Sequence, residues 1–500
     1  MKEKPTIVVA GASGFVGRQI PIHLAPKARL IGLSRSPQRA AQRASGYALW
    51  RGCDLFSRRQ AMEALEGADV AIYLVHSMLP SARLTQGSFR DMDLICADNF
   101  ARAARRHKIE RILYVGELIP AALEGKELPE HLKSRLEVEA ALGAYGAHVV
   151  TLRPGVVIGA GSALTEGFRR LVHRLPVMLL PRWTTSKIAP VDRDDLIACL
   201  IYALERPHLE GSFDVGGEEE ITYGDLLAMT AEVLGKKRRF FQTTLSAPRL
   251  STAWVSLFTG RPPEAVAPLI KALDRDLLPV SRILQEEMNQ KPRRLRESLE
   301  QALVPRERGL VKVPGATTLS TRRAAGEVRS VQRLPLPAGR SARWVAEEYA
   351  RWLPAAMKPV IAVDSFPSED PPKEAKDEKS REKVWEPQGE DLEPVPLEGT
   401  TLHFRIRPLP FAILKLTLDR DVSHPDRHLF WISGGILARP HDPGRLEFRT
   451  LLEGEYCMAA IHQFRPRLPW FMYRLTQALI HALVMAAFGR HLRGLKKRIE

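Results

Sequence analysis

Cysteine is scarce in this 500-residue chain: Cys53, Cys96, Cys199 and Cys457 are the four, with no CxxC or paired spacing. The spacing excludes a disulfide-stapled scaffold and a thiolate metal site, and reads as reduced core thiols of a cytoplasmic protein. Long apolar runs are lacking too. The most apolar stretch, Ala478 to Phe488, contains His481 and is too short to span a bilayer. No leader precedes the first strand pattern, so no secretory signal is expected. Acidic residues are outnumbered, 58 against 74 Lys and Arg, for a net charge of +16. The bases are spread along the chain rather than blocked, which argues against a nucleic-acid partner. What remains is an ordinary globular composition, 45% hydrophobic and 26% charged, at a length that predicts two or three domains.

Against these absences, the stretch from Thr6 to Gly17 stands out. An apolar run, Ile7 to Ala10, reads as a buried strand, and Gly11, Gly14 and Gly17 follow in GxxGxxG spacing before a short helix pattern, Arg18 to Leu24. Strand, glycine turn and helix compose a dinucleotide-binding unit. Gly11 permits the tight turn, Gly14 lets backbone approach a diphosphate, and Gly17 lets helix and strand pack closely. With Ser13, Phe15 and Val16 they form the candidate phosphate loop, whose bare N–H groups face an anion. A second strand, Leu30 to Leu33, ends in Ser34 and Arg35 where NAD-preferring sites carry an acid. A guanidinium there suits a 2′-phosphate and favours NADP over NAD, unless Arg35 is only a solvated loop charge. Asp54, followed by Leu55, either accepts from the adenine amino group or caps the next helix. Val70 to Val75 is a fourth strand, and Val75 is expected near the nicotinamide. Arg111 to Gly116 and Val149 to Pro154 complete a βα alternation that predicts a doubly wound parallel Rossmann sheet.

These motifs resemble the extended and atypical short-chain dehydrogenase/reductase superfamily, which includes NAD-dependent epimerase/dehydratase-like proteins. The matching residues are Gly11-Ala-Ser-Gly14-Phe-Val-Gly17, Asp54-Leu55, Ser134-Arg135 with Glu139, and Leu152-Arg153-Pro154 with Gly159 to Gly161, within about residues 5–235. The resemblance implies the fold, a nicotinamide dinucleotide and an oxidoreductase. The catalytic positions depart from it. The superfamily's Tyr, Lys and Ser are replaced by His131, Arg135 and the neighbourhood of Gly116-Glu117. His131, Arg135 and Glu117 are therefore the candidate catalytic residues. Two functions stay open: NAD(P)H-dependent reduction of a carbonyl, enone or quinone in a small, apolar substrate, or a redox-silent dinucleotide sensor, accessory or assembly factor.

Further on, Asp192 to Leu196 and Thr222 to Leu226 read as helix starts, and 236–364 as a mainly helical connecting region with a charged helix over Gln285 to Glu300. Residues 365–397, rich in Pro and alternating charge, read as a linker. From 398 the pattern changes. Leu402 to Arg407, Ile413 to Leu418, Arg445 to Arg449 and Cys457 to Ile461 alternate with period two, predicting an antiparallel sheet with one covered face. Trp470 to Leu492 reads as one long helix, so the expected fold is α+β, a sheet gripping a helix. The segments Gly434 to Pro440, Gly444 to Arg449 and Phe464 to Tyr473 resemble the bacterial domain-of-unknown-function family 2867, which brings no activity. The bases after Arg490 offer peripheral contact with anionic lipid.

Overall fold

A computed structural model describes residues 4–44, 46–76, 84–120, 128–243, 275–289, 291–303, 317–319, 328–358, 360–367, 400–439, 444–452 and 454–499, with Thr252 and Ser256. Within the region read as mainly helical, 244–251, 253–255 and 257–274 lie outside these residues, as does the linker beyond Pro367. The chain divides into two compact units. The first comprises Met1–Asp54, Ala64–Leu79 and Ala103–Thr321; the second comprises Leu55–Glu63, Pro80–Arg102 and Arg322–Glu500.

The first unit is built on an eight-stranded sheet. Its order is Gly211–Val215, His148–Pro154, Arg111–Val115, Val70–Tyr73, Thr6–Ala10, Arg29–Ser34, Leu49–Gly52 and Thr317–Leu319. Every pairing is parallel. The strands are short apolar runs buried on both faces, as a parallel sheet covered by helices requires; Ile7 to Ala10 are at most 1% exposed. Chain order reverses between Thr6–Ala10 and Val70–Tyr73, the crevice where doubly wound sheets bind nucleotides. The added edge strand Thr317–Leu319 carries no signal of its own. At the opposite end, Arg111 donates through Nη2 to the carbonyls of Ala203 (2.7 Å) and Arg206 (2.6 Å), holding the C-terminus of the helix Arg193–Leu204.

A second core in this unit joins the helices Ala163–Arg174, Tyr223–Val233 and Leu295–Leu303 through Phe168, Leu171, Trp183, Tyr223, Leu226 and Leu299. Both expected helix starts are present. Asp192 caps Arg193–Leu204 by accepting from Asp194 N at 2.8 Å, and Thr222 with Asp225 forms a reciprocal capping box. The charged helix over Gln285 to Glu300 is two helices instead, Ile283–Glu287 and Leu295–Leu303. Asn289, at φ +47°, turns the chain between them, and Pro292 follows.

The second unit holds another eight-stranded sheet, ordered Ile361–Pro367, Thr400–Ile406, Ala412–Leu418, Arg427–Gly434, Arg445–Leu451, Tyr456–Phe464, Val328–Pro335 and Leu84–Gln86. All pairings are antiparallel except the last. The sheet thus reaches outside 398–500 and takes Val328–Pro335 from the stretch read as helical. One face packs Leu416, Phe448 and Cys457 against Ala478, Met485, Phe488 and Leu492 of the helix Gln477–Ile499. The α+β arrangement of sheet and long C-terminal helix is therefore present. Two details differ from expectation. The single helix over Trp470 to Leu492 breaks at Thr476 (φ −122°, ψ −79°), giving Trp470–Leu475 and Gln477–Ile499; the Thr476 hydroxyl bonds back to Met472 O at 2.7 Å. The sheet is also covered on both faces: Arg445, Glu447 and Arg449, on the face opposite Leu446 and Phe448, are at most 3% exposed. Glu447 and Arg449 can be buried because their charges meet each other, Arg427 and Asp98 of the helix Phe89–Arg106, while Arg445 lies over the Trp431 ring, 5.6 Å from its centroid. Glu447 accepts from Arg427 (2.7 Å) and Arg449 (2.6 Å), and Arg449 reaches Asp98 (2.6 Å) and Asn99 (2.7 Å).

Candidate functional site

The glycine loop is cut to backbone dimensions. Gly11 sits at φ +83°, open to glycine and costly for other residues, and a Cβ there would lie 3.0 Å from Leu74 O. A Cβ on Gly17 would lie 2.4 Å from Gly11 O and 2.7 Å from Ala12 Cα. The turn closes with Gly14 N donating to Gly11 O at 2.8 Å. The buried Tyr47 hydroxyl donates to Gly17 O at 2.6 Å, fixing where the following helix begins. Ser13 and Gly14 are exposed and Phe15 and Val16 half-buried, so the loop presents backbone outward.

Two guanidiniums that sequence spacing does not announce stand beside this loop. Arg18 donates to Ala160 O at 2.9 Å, and Arg193 donates to the same oxygen at 3.2 Å. Arg193 also lies over the Phe15 ring, 5.4 Å from its centroid. The Arg18 Nε is buried with no hydrogen-bond partner among the described residues, and burial followed by the Arg193 charge lowers the Arg18 pKa. Like charges drawn together at an outward-facing backbone loop fit a dianionic diphosphate, which would separate and satisfy them.

Register gathers the remaining cofactor candidates on the same edge of the sheet. Ala10 pairs with Leu33 and with Tyr73, and Ser34 pairs with Gly52, so Gly11, Ser34, Cys53 and Leu74 end neighbouring strands. Cys53 N donates to Ser34 O at 3.0 Å. Ser34 Oγ accepts from Ser36 N at 3.1 Å, which leaves Arg35 exposed at the strand end. Asp54 and Val75 are half-buried on that edge. Leu55 belongs to the second unit, where its carbonyl accepts from Asn99 at 2.8 Å.

The three catalytic candidates come together. Glu117 lies 3.8 Å from His131 Nε2 and 3.4 Å from Arg135 Nε. His131 and Arg135 are one turn apart on the helix Glu130–Gly143, and Glu117 follows the strand Arg111–Val115, whose end shares the edge of the glycine loop. Burial lowers the His131 pKa; Glu117 partly offsets this and Arg135 adds to it, so imidazole is neutral at pH 7. Burial also raises the Tyr223 phenol, with Glu117 contributing, and Tyr223 meets Trp183 edge-on at 5.8 Å. Trp183 Nε1 is buried with no hydrogen-bond partner among the described residues. A fixed cation and a neutral imidazole thus flank one carboxylate, whose charge also reaches the Tyr223 phenol. Glu139, quoted above as a motif residue, is structural: it takes Arg153 bidentately (3.0 Å to each oxygen) and so ties its helix to the sheet.

The fold and loop define a dinucleotide-binding α/β domain, and comparison with known proteins narrows the class. The sequence pattern of the NAD dependent epimerase/dehydratase family matches residues 7–118, in the N-terminal part of the chain. The Auxiliary protein GraX of Staphylococcus aureus is 31% identical over 148 residues, 30% of this chain and 43% of that protein. The chain therefore spans less than half the length of this relative. A (4-alkanoyl-5-oxo-2,5-dihydrofuran-3-yl)methyl phosphate reductase of Streptomyces griseus is 27% identical over 274 residues, 54% of this chain and 86% of that protein. Among solved structures, the Citrobacter sp. triphenylmethane reductase complexed with NADP(H) aligns at TM-score 0.48 and 19% identity, over 60% of this chain and 100% of that one. The Bordetella bronchiseptica enzyme WbmG in complex with NAD aligns at 0.46 and 13%, over 60% and 94%.

Proposed function

We propose that the first unit is an NADP(H)-dependent reductase acting on a conjugated acceptor, an enone or quinone, in a small apolar substrate. Bound NADPH supplies the hydride. The observation that carries the reading is the cluster Glu117–His131–Arg135. A neutral imidazole and a guanidinium that cannot release a proton make a poor acid pair for reducing a simple ketone. They suit an acceptor that spreads its new negative charge over a conjugated oxygen, because Arg135 holds a fixed positive charge with no proton to transfer. Trp183 offers a spare buried N–H donor in the same lobe. Arg18 and Arg193 would take the diphosphate, and Arg35 the 2′-phosphate. The reductase of Streptomyces griseus, named for a conjugated lactone ring, supports an enone acceptor.

The test is loss of NADPH absorbance with a quinone, an enone and a simple aldehyde. Turnover with the first two is expected, with Arg135→Gln slowing it roughly a hundredfold. Cofactor binding without oxidation across the panel would sink the reading and leave the redox-silent binder. For cofactor choice, Arg35→Asp should weaken NADPH by about tenfold while sparing NADH, since one charge-assisted phosphate contact is removed. Equal loss for both would assign Arg35 to the solvent.

A further inference from the structure

We propose that the second unit docks on an anionic lipid bilayer through the helix pair at its C-terminus and the adjoining rim of its sheet. The helix Gln477–Ile499 buries Ala478, Met485, Phe488 and Leu492 in the core. Its opposite face, which a globular helix fills with polar residues, carries Leu479, Ile480 and Leu483 and then changes to Arg490, Arg493 and Lys497. Leu475 and Met472 extend the apolar half into the preceding helix, and exposure over these five residues runs from 42% at Met472 to 73% at Leu475. The patch does not stop at the helices. Ile436 N donates to Ala412 O, Leu437 N to Ile413 O, and Arg467 N to Leu437 O, so the segments after Arg407, Gly434 and Phe464 form one rim. That rim exposes Leu409, Phe411 and Ile436.

Charge selects the occupant. From Tyr456 to Ile499 the chain contains no Asp or Glu, while it contains Arg465, Arg467, Arg474, Arg490, Arg493, Lys496, Lys497 and Arg498. His403 to Thr417 and Ile432 to Arg439 are likewise free of acids and hold Arg407, Lys415 and Arg439, with Arg405 paired to Asp364 of the adjoining strand. Arg490, Arg493, Lys497 and Arg498 have no ion-pair partner among the described residues. Glu348, an acid that faces the helix, takes His491 at 2.8 Å. A second copy seated face to face would set these like charges against each other. Nucleic acid would leave the leucines wet. A bilayer with anionic headgroups satisfies both halves, the leucines entering the acyl boundary and the bases lying among the headgroups. No helix among the described residues is long and apolar enough to cross the membrane, so the contact is in the plane of the interface.

Flotation of the full-length protein with phosphatidylglycerol/phosphatidylethanolamine vesicles, against pure phosphatidylcholine vesicles, tests this. Binding to the anionic vesicles is expected, weakened by salt. Arg493→Gln and Lys497→Gln should each weaken it roughly fivefold. Leu479→Ser with Leu483→Ser should weaken it by at least about tenfold at an unchanged melting temperature, because both side chains are already exposed. Leu475→Ser serves the same purpose should the pair fail to fold. The proposal is overturned by no preference for anionic vesicles, by leucine variants that bind like wild type, or by a doubled solution mass that the leucine variants return to monomer.

Discussion

A methyl group on Gly17 would press on Gly11 O and on Ala12 Cα and C, all backbone atoms of the turn itself, so none can swing aside. Gly17→Ala is therefore expected to cost about 1–3 kcal/mol by overpacking and to lower the melting temperature. On Gly14 the same methyl would meet Gly11 O alone, at 3.0 Å, and otherwise point outward. Gly14→Ala should keep its stability to within about 1 kcal/mol yet lose at least about tenfold in dinucleotide affinity, since the methyl occupies the approach of the diphosphate. Thermal melts beside NADPH titration separate the two; a Gly14→Ala protein that binds like wild type would remove this glycine from the site. The three glycines were legible because the turn they make is local. Arg18 and Arg193 were not: Ala160, whose carbonyl oxygen accepts from both, lies 142 residues from Arg18, and only the folded chain brings it there.

Among elements, the strands that alternate least were the hardest to read. Arg427–Gly434 runs Arg-His-Leu-Phe-Trp-Ile-Ser-Gly, and its first six residues are all buried, so no polar face announces it. Arg445–Leu451 does alternate, and its period gave the strand correctly, but the charged face it displays is as buried as the apolar one. The counter-charges that permit this come from Asp98, far away in sequence, and from Arg427 on the neighbouring strand, with the Asn99 amide accepting a further bond from Arg449. Burial makes the network vulnerable in one direction. Glu447 is surrounded by Arg427, Arg449 and His462, and Arg449 and Arg427 hold its carboxyl well below the ordinary range against the cost of desolvation. Glu447→Ala should cost about 3–5 kcal/mol, because the buried Arg427 and Arg449 both lose this carboxylate and Arg449 keeps only Asp98 as a counter-charge. Removal of the exposed pair Arg296–Glu232 should change stability by about 1 kcal/mol or less. Urea denaturation of the two variants checks the contrast, and equal midpoints would mean water reaches the network.

At the scale of the whole chain, composition foretold the globular character, and the order of residue periods foretold the parallel-then-antiparallel plan. It did not foretell that Leu55–Glu63 and Pro80–Arg102, interleaved among the Rossmann strands, are counted with the C-terminal sheet. Such interleaving leaves no local mark, because the helices Arg58–Leu65 and Phe89–Arg106 have the same amphipathic pattern whichever sheet they join. Buried histidines of that second unit nonetheless carry a definite part of the chain's acid sensitivity. His428, 1% exposed, has its pKa lowered to about 4 by burial and then by Arg343; His424 is lowered to about 3 by burial and by Arg427, Arg58 and Arg102, against Asp426. In the unfolded chain both titrate near 6.5. Below that value the unfolded state takes up protons that the folded state refuses, so stability is complete above about pH 6.5 and falls toward pH 4. Glu447, held ionised, does not titrate in this window and cannot be the source. His428 alone should account for about 2 kcal/mol between pH 7 and pH 5. Melting temperature is expected to drop steadily across that interval in wild type and less steeply in His428→Leu; parallel slopes in the two proteins would show that His428 accepts its proton without unfolding.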